Sequence, residues 1–280
     1  ALFEYKISEN VAASFSAEWL NASGKYKFRY RRVNPAGEIA YDTTAVRENG
    51  DINATRLEAG LYGTIERGTW NAKVYNYNSE RGIPGAIVNN VWRRGERVWD
   101  TNSFFQGSFV KEVNDQFKTQ VNAKYAFYRT HYVNNDDKLI EVDNLYKQRE
   151  VYVSTANMYT IFPFWDVSMS YDFQWNEMKA DMYGFVFPTR FTNLLSIATA
   201  LRLGKVKLQG SGLATFVNDR VKEGPAPKAR QILTPAVFLS YKPFDKHDFS
   251  LRAFYKKTFR MPTFNDLYYA DMGNSKLDPE

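Results

Sequence analysis

Aromatic and cationic side chains occur in several long polar segments of the 280-residue chain, between stretches of regular apolar alternation. Aromatic faces and cationic groups that converge from separate loops are typical of sites that bind a bulky ligand. Exposed aromatic residues also pack within their own loops, so both interpretations stay open for each residue. The candidate ligand-binding residues are Trp92, Arg93, Tyr146, Tyr183, Phe185, Tyr268 and Tyr269.

Catalytic chemistry has little support in the sequence. The only histidines, His131 and His247, lack metal-ligand spacing, and the chain has neither a Gly-x-Ser-x-Gly motif nor a phosphate-binding loop. The absence of cysteine excludes disulfides, thiolate metal sites and cysteine nucleophiles. The sequence therefore predicts a protein that is not an enzyme and has no resident organic cofactor.

Two adjacent carboxylates, Asp136 and Asp137, lie in a polar segment with Asn134, Asn135 and Glu141. Carboxylate and amide oxygens are the ligands that Ca²⁺ prefers in proteins. The segment is therefore a candidate calcium site in a loop. The alternative is an ordinary solvated polar loop.

The long polar segments are joined by stretches in which polar and apolar residues alternate. Residues 166–176 place Asp, Ser, Gln and Asn on one side and Val, Met, Tyr, Phe and Trp on the other. This period of two indicates a β-strand with one apolar and one polar face. Over the whole chain it predicts about twelve strands. They are 11–20, 25–33, 54–65, 69–78, 98–113, 117–132, 149–161, 165–176, 191–203, 205–217, 231–243 and 249–261.

The connections between the predicted strands alternate between short and long. Short turns such as 21–24, 66–68 and 162–164 alternate with long segments such as 79–97 and 133–148. Outer-membrane barrels have this pattern, with their long loops at one end. Because lipid cannot satisfy backbone hydrogen-bonding groups, strands cross a bilayer only as a closed sheet. The prediction is an all-β fold, a transmembrane antiparallel β-barrel, with residues 1–280 forming part of one barrel domain.

The composition agrees with a barrel that has a lipid face and an aqueous face. Aromatic residues make up 16% of the chain, yet the mean hydropathy is −0.50. No stretch reaches the run of about 18 apolar residues that a membrane-spanning helix requires. The formal net charge is +6, but Lys25, Lys27, Arg29 and Arg31 alternate with aromatic residues. We therefore expect these cations on the polar wall of the barrel, and no nucleic-acid partner.

Two turn-rich motifs follow predicted strands. The first is Arg81-Gly82-Ile83-Pro84-Gly85, in which glycine and proline force a turn. The second begins with Arg260 and Pro262, and the proline ends strand pairing. For both motifs, a loop conformation that the fold requires is a stronger interpretation than ligand contact. The second motif continues through Asp266, Leu267, Tyr268, Gly273, Asn274, Leu277, Pro279 and Glu280.

The second motif resembles a signature of the barrel domain of TonB-dependent receptors, and the first is similar to loops of the cobalamin and siderophore receptors of that family. The resemblance implies a barrel of about 22 strands with a plug folded inside. The plug and the remaining strands would then lie outside this chain. Arg260 and Asp266 would act structurally, at the barrel interior or rim near the plug.

The function that the resemblance implies is TonB-dependent active transport of a large, scarce nutrient across the bacterial outer membrane. The first expected substrate is cobalamin (vitamin B12) or a related corrinoid, and the next is a ferric siderophore. The implied partners are the TonB complex through regions absent from this chain, membrane lipid, and a surface-exposed substrate-binding lipoprotein. The residues themselves leave a second hypothesis open, a passive outer-membrane pore of about twelve strands.

Overall fold

A computed structural model describes residues 1–85, 87, 95–135, 141–224, 226–245, 247–268, 274 and 277–279, with only the backbone at Asn265. The described chain consists mainly of β-strands. They are β1 (Leu2–Ser8), β2 (Val11–Ala22), β3 (Tyr26–Val33), β4 (Ile39–Arg47), β5 (Ile52–Ile65), β6 (Gly68–Ile83), β7 (Glu96–Glu112), β8 (Phe117–Asn134), β9 (Val142–Phe162), β10 (Trp165–Ala180), β11 (Thr189–Leu203), β12 (Val206–Arg220), β13 (Arg230–Tyr241) and β14 (Leu251–Lys256), followed by the short helix α1 (Phe264–Tyr268).

One large antiparallel sheet contains twelve of these strands, in the order β1-β2-β5-β6-β7-β8-β9-β10-β11-β12-β13-β14. The remaining two, β3 and β4, form a separate two-stranded sheet. Neighbours in the large sheet also follow one another in chain order, which is the up-and-down topology of antiparallel barrels. The predicted all-β, antiparallel architecture is confirmed.

The predicted strands all have counterparts, and the structure adds β1 and β4. β1 carries the same alternation as the others, because Phe3, Tyr5 and Ile7 are separated by charged residues. β14 ends at Lys256, earlier than the predicted strand 249–261. Its last ladder bond runs from the amide of Lys257 to the carbonyl of Pro235, 3.1 Å away. Proline has no amide to return that bond, so pairing ends there.

The predicted strand 25–33 does not belong to the barrel wall. Among the described residues it pairs only with β4, and together they form a β-hairpin inserted between β2 and β5. Ala22, the last residue of β2, is paired with Ile52, the first residue of β5. Residues 23–51 therefore form an insertion that leaves the large sheet after Ala22 and rejoins it beside Ala22, at Ile52. The expectation that Lys25, Lys27, Arg29 and Arg31 line the barrel is therefore wrong. Alternation identifies a strand but cannot tell which sheet it joins.

The two faces of the large sheet differ in polarity. On one face, apolar side chains are exposed across many strands: Met169 and Ile197, which are register partners, are 51% and 55% exposed. Such a face matches the lipid-facing side of a transmembrane barrel. The same face carries Phe105, Phe109, Val121, Tyr125, Val153, Tyr171, Leu208, Leu233 and Val237.

The opposite face is polar, and several of its charges are paired between neighbouring strands. Nitrogen–oxygen distances are 2.7 Å for Lys73–Glu58, 3.0 Å for Lys124–Glu150 and 2.6 Å for Arg202–Asp166. Tyr152 on β9 donates a hydrogen bond to Asp172 on β10. This face is the predicted inner wall of the barrel.

The two ends of the large sheet also differ. Short turns at 9–10, 66–67, 163–164 and 204–205 lie at one end. The strand ends that border the connections 23–51, 84–95, 135–141, 181–188 and 221–229 lie at the other, which we call the long-loop end. The connection 21–24, expected at the short-turn end, belongs to the long-loop end because it leads into β3. In the described part of the chain, no helix is long and apolar enough to cross a membrane.

Candidate ligand vestibule

A cluster of buried residues lies at the long-loop end, where β9 begins and β10 ends. It joins the connection 181–188 to helix α1, and Phe185, Met182 and Val186 enter it from that connection. Phe185 is only 2% exposed. Burial of large aromatic side chains stabilises such contacts, so this part of the rim is a packed structure. The buried members are Tyr146, Met178, Ala180, Phe185, Phe264, Leu267 and Tyr268.

Helix α1 belongs to the segment after β14, residues 257–268, which we call the return segment. Thr263 and Asp266 form a reciprocal cap: the Thr263 amide donates to Asp266 Oδ2 (2.8 Å), and the Asp266 amide donates to Thr263 Oγ1 (3.2 Å). Backbone and side-chain hydrogen bonds from Thr263 to the Asp266 carboxylate lower the pKa of that carboxyl. Arg260 lies 3.6 Å from the same carboxylate. The Arg260…Asp266 part of the second motif therefore shapes the start of the helix.

A buried ion pair attaches the return segment to the inner wall. Arg190 on β11 donates through Nε and Nη2 to the two carboxylate oxygens of Asp219 on β12, at 2.7 Å each. Its Nη1 donates to the carbonyl of Pro262 at 2.7 Å, and its guanidinium lies 5.1 Å from the ring centre of Phe264. Arg190 is thus the contact between the wall and the second motif. No sequence pattern indicates this contact, because only the strand register brings Arg190 and Asp219 together.

Tyr268 is a strongly perturbed titratable group of this cluster. Its residue is 8% exposed, and its hydroxyl has no hydrogen-bond partner in the described part of the chain. Burial, reinforced by the nearby negative charge of Asp219, raises the pKa of the phenol to about 12. The side chain is therefore neutral at physiological pH and behaves as a packing residue.

The first motif closes the base of the β3–β4 hairpin. Arg47 at the end of β4 is buried and donates hydrogen bonds to the carbonyls of Pro84 and Gly85. Asn49 donates to the carbonyls of Ile83 (3.1 Å) and Glu96 (2.8 Å). A β-carbon at Gly82 would overlap with the side chain and the carbonyl of Asn49, so only glycine fits there.

Charged groups strengthen the same junction. Arg97 on β7 donates to both carboxylate oxygens of Asp51 at 3.0 Å and to Glu80 at 2.6 Å. The hydrogen bonds from Arg97 lower the pKa of Asp51. Arg81 donates to Asp100 at 3.2 Å. The first motif thus holds the hairpin against β6 and β7, and Arg47 and Asn49 are partners that the sequence alone did not reveal.

A cavity of about 420 Å³ lies on the inner wall beneath the return segment. Strands β9 to β12 supply its polar side, including Gln148, Asn176, Thr192 and Thr215. The return segment supplies apolar residues, including Met261 and Phe264. A concave site with apolar walls and a few converging polar groups is the usual form of a ligand site.

The predicted ligand-binding residues have different environments. Tyr146, Phe185 and Tyr268 come together in the buried cluster, whereas Tyr183 is fully exposed in the connection 181–188. A ligand role for any of them stays a prediction. Among the described residues, no group of acidic or histidine side chains could hold a metal ion. Outside the described residues lie Trp92, Arg93, Asp136, Asp137, Tyr269, Gly273 and Glu280.

The fold and the site define an antiparallel outer-membrane barrel with a structured long-loop end. Residues 5–280 match the model of the family described as TonB dependent receptor-like, beta-barrel, and the chain belongs to this family. Receptors of this family lie in the bacterial outer membrane, which confirms the predicted location, fold class and resemblance. No curated protein matches the chain.

Solved structures with the same fold include a copper transporter, OprC, and the ferric citrate transporter FecA in its unliganded form. OprC is 12% identical with a TM-score of 0.71, over 96% of this chain and 45% of that chain. FecA is 11% identical with a TM-score of 0.56, over 87% of this chain and 42% of that chain. The chain thus spans less than half the length of either structure, and at these identities the likeness concerns the fold.

Proposed function

We propose that the protein is part of the barrel of a receptor that actively imports a metal complex across the outer membrane. Family membership carries this proposal, and the two structural neighbours, named as copper and ferric citrate transporters, favour a cargo that contains a metal. The first candidate cargo is a corrinoid such as cobalamin, because the two loop motifs resemble those of such receptors. The second candidate is a ferric siderophore. In this role the protein is a transporter and not an enzyme.

The long-loop end supplies the features that such a receptor needs. Tyr183 is exposed and available to a cargo that arrives from outside, while Tyr146, Phe185 and Tyr268 fix the rim that carries it. Preorganised rims lose less conformational entropy when they bind. We place Trp92, Arg93 and Tyr269 among the ligand contacts, and calcium at Asp136 and Asp137. The partners are the TonB complex, lipid on the apolar face, and a substrate-binding lipoprotein at the surface.

Further strands are needed to complete the barrel. Within the described residues β1 pairs only with β2 and β14 only with β13, so the sheet has two edges. Unpaired edges are not tolerated in lipid. We propose that these residues are one part of a larger barrel that holds a plug. The mass of the native protein, extracted from its own membranes, should then exceed 32.5 kDa.

An uptake measurement tests active import. Cells with the intact gene and cells without it receive radiolabelled cyanocobalamin or a radiolabelled ferric siderophore. We expect accumulation of at least one compound that depends on the gene and stops when the TonB complex is deleted. Gene-dependent accumulation that persists without the TonB complex would contradict the proposal and favour the passive pore.

A further inference from the structure

The cavity on the inner wall contains neutral polar groups without hydrogen-bond partners. Within the described part of the chain, no side-chain hydrogen bond is formed by Gln148, Asn176, Thr192 or Thr215, and all four line the cavity. Among these four residues, only the Thr215 hydroxyl is both buried and without a partner in the described part of the chain, and Thr215 is 3% exposed. Asn176 is 8% exposed, and Gln148 and Thr192 are half-buried at the cavity surface. Buried polar groups normally have partners, because a group that loses water without gaining another partner destabilises the fold. These side chains are therefore positioned to bind something that enters the cavity.

The charged groups of the cavity are already neutralised by other residues. Arg190 is held by both carboxylate oxygens of Asp219, with its third bond to Pro262. Glu150 accepts from Lys124 at 3.0 Å and from Gln174 at 3.4 Å. An anion that entered the cavity would find no unpaired cation among the described lining residues, and burying an uncompensated charge is costly.

The carboxamides of the cavity suit an uncharged ligand better than an anion. Each carboxamide offers both donors and an acceptor, and a threonine hydroxyl offers one donor and two lone pairs. Such a set pairs best with groups that also donate and accept, such as amides and hydroxyls. Phe259, Met261 and Phe264 cover the other side of the cavity with apolar surface. With about 420 Å³, the cavity accommodates an edge of a large cargo.

We propose that this cavity binds an uncharged, amide- or hydroxyl-bearing edge of the cargo, so that the receptor prefers such metal complexes to carboxylate-rich chelates. This inference rests on the proposed function and specifies the class of substrate. Within that function it favours a corrinoid-like cargo, whose periphery carries amides, over an anionic iron chelate.

The test is equilibrium binding to the full-length receptor in detergent. The probes are cyanocobalamin, which is uncharged and rich in amides, and ferric citrate, which is anionic. We expect cyanocobalamin to bind more tightly by about tenfold or more, because each matched hydrogen bond contributes up to about that factor. Asn176→Asp and Gln148→Glu should each weaken cyanocobalamin binding by about tenfold.

The matched control is Gln209→Glu, the same change on the inner wall of β12 outside this cavity, which should leave binding unchanged. Thr215→Val separates binding from folding. It removes a buried, unpartnered hydroxyl, so the receptor should be at least as stable to urea while cyanocobalamin binding weakens. A purely structural Thr215 would leave binding intact.

The outcomes distinguish the two proposals. Tighter binding of ferric citrate, or equal effects of Asn176→Asp and Gln209→Glu, would overturn the inference about the cavity and leave active import standing. Gene-dependent uptake that needs no TonB complex would remove the import proposal, whatever the cavity prefers. Binding of neither probe would overturn the proposed charge preference, and uptake of a ferric siderophore would then still support import.

Discussion

Gly82 is the residue at which the first motif is least tolerant of change. Its α-carbon lies against the side chain and carbonyl of Asn49, where a β-carbon would overlap with both. We expect Gly82→Ala to displace the base of the hairpin and to lower the free energy of unfolding by about 1–3 kcal/mol. Urea unfolding of the full-length receptor measures this loss. Gly212→Ala, on a strand position with no heavy atom within 4 Å of the added carbon, is the control and should cost much less.

Tyr268 tests whether its hydroxyl has a structural role. Because the buried hydroxyl lacks a partner, Tyr268→Phe should leave stability at neutral pH unchanged or raise it by up to about 1 kcal/mol. The pKa of about 12 in the folded protein exceeds the ordinary value of 10.0, so the unfolded chain loses this proton first. The titration of Tyr268 therefore lowers the free energy of unfolding as the pH rises from 10.0 to about 12. Removing it should lessen that decline, and a clear loss of stability at pH 7 would contradict a packing role.

Helix α1 depends on its cap more than on its length. Five residues are too few to form a stable helix alone, so the Thr263–Asp266 cap and the contacts of Leu267 and Tyr268 must hold it. We expect Thr263→Ala to cost about 1 kcal/mol and to increase amide hydrogen exchange in α1. Thr44→Ala, at an exposed position of β4, is the control. Unchanged exchange in α1 would mean that packing alone holds the helix.

The positions of most strands were predictable from the sequence, but the contacts between strands and loops were not. Alternation located the strands of the barrel, because one face meets lipid and the other water along their length. The prediction missed β1 and β4, and it assigned β3 to the wrong sheet because a hairpin in water alternates in the same way as a barrel strand. The Arg190–Asp219 pair follows from a register that unites residues 29 positions apart. The two short motifs indicated where the chain turns. They did not indicate that Arg47 and Arg190 are the residues that bind these turns.

At the scale of the whole molecule, the apolar and polar faces determine how the protein sits in the membrane. Met169 and Ser170 are adjacent on β10 and point to opposite faces, and Met169 is 51% exposed within the apolar face. Arginine placed in lipid near the bilayer midplane costs about 2–4 kcal/mol, whereas lumen positions tolerate charge. We therefore expect Met169→Arg to lower the unfolding free energy in lipid vesicles by that amount.

Ser170→Arg is the matched control, because it adds the same side chain one residue further along the same strand. Its neighbours across the sheet are Ala156 and Ser196, on a wall that already holds paired charges. We expect it to cost much less than Met169→Arg when both variants of the full-length receptor are unfolded by denaturant in the same vesicles. Equal costs would mean that one face does not contact lipid while the other contacts water. The cavity on the inner wall would then not be a binding site for cargo. A larger cost for Ser170→Arg would reverse the assignment of the faces.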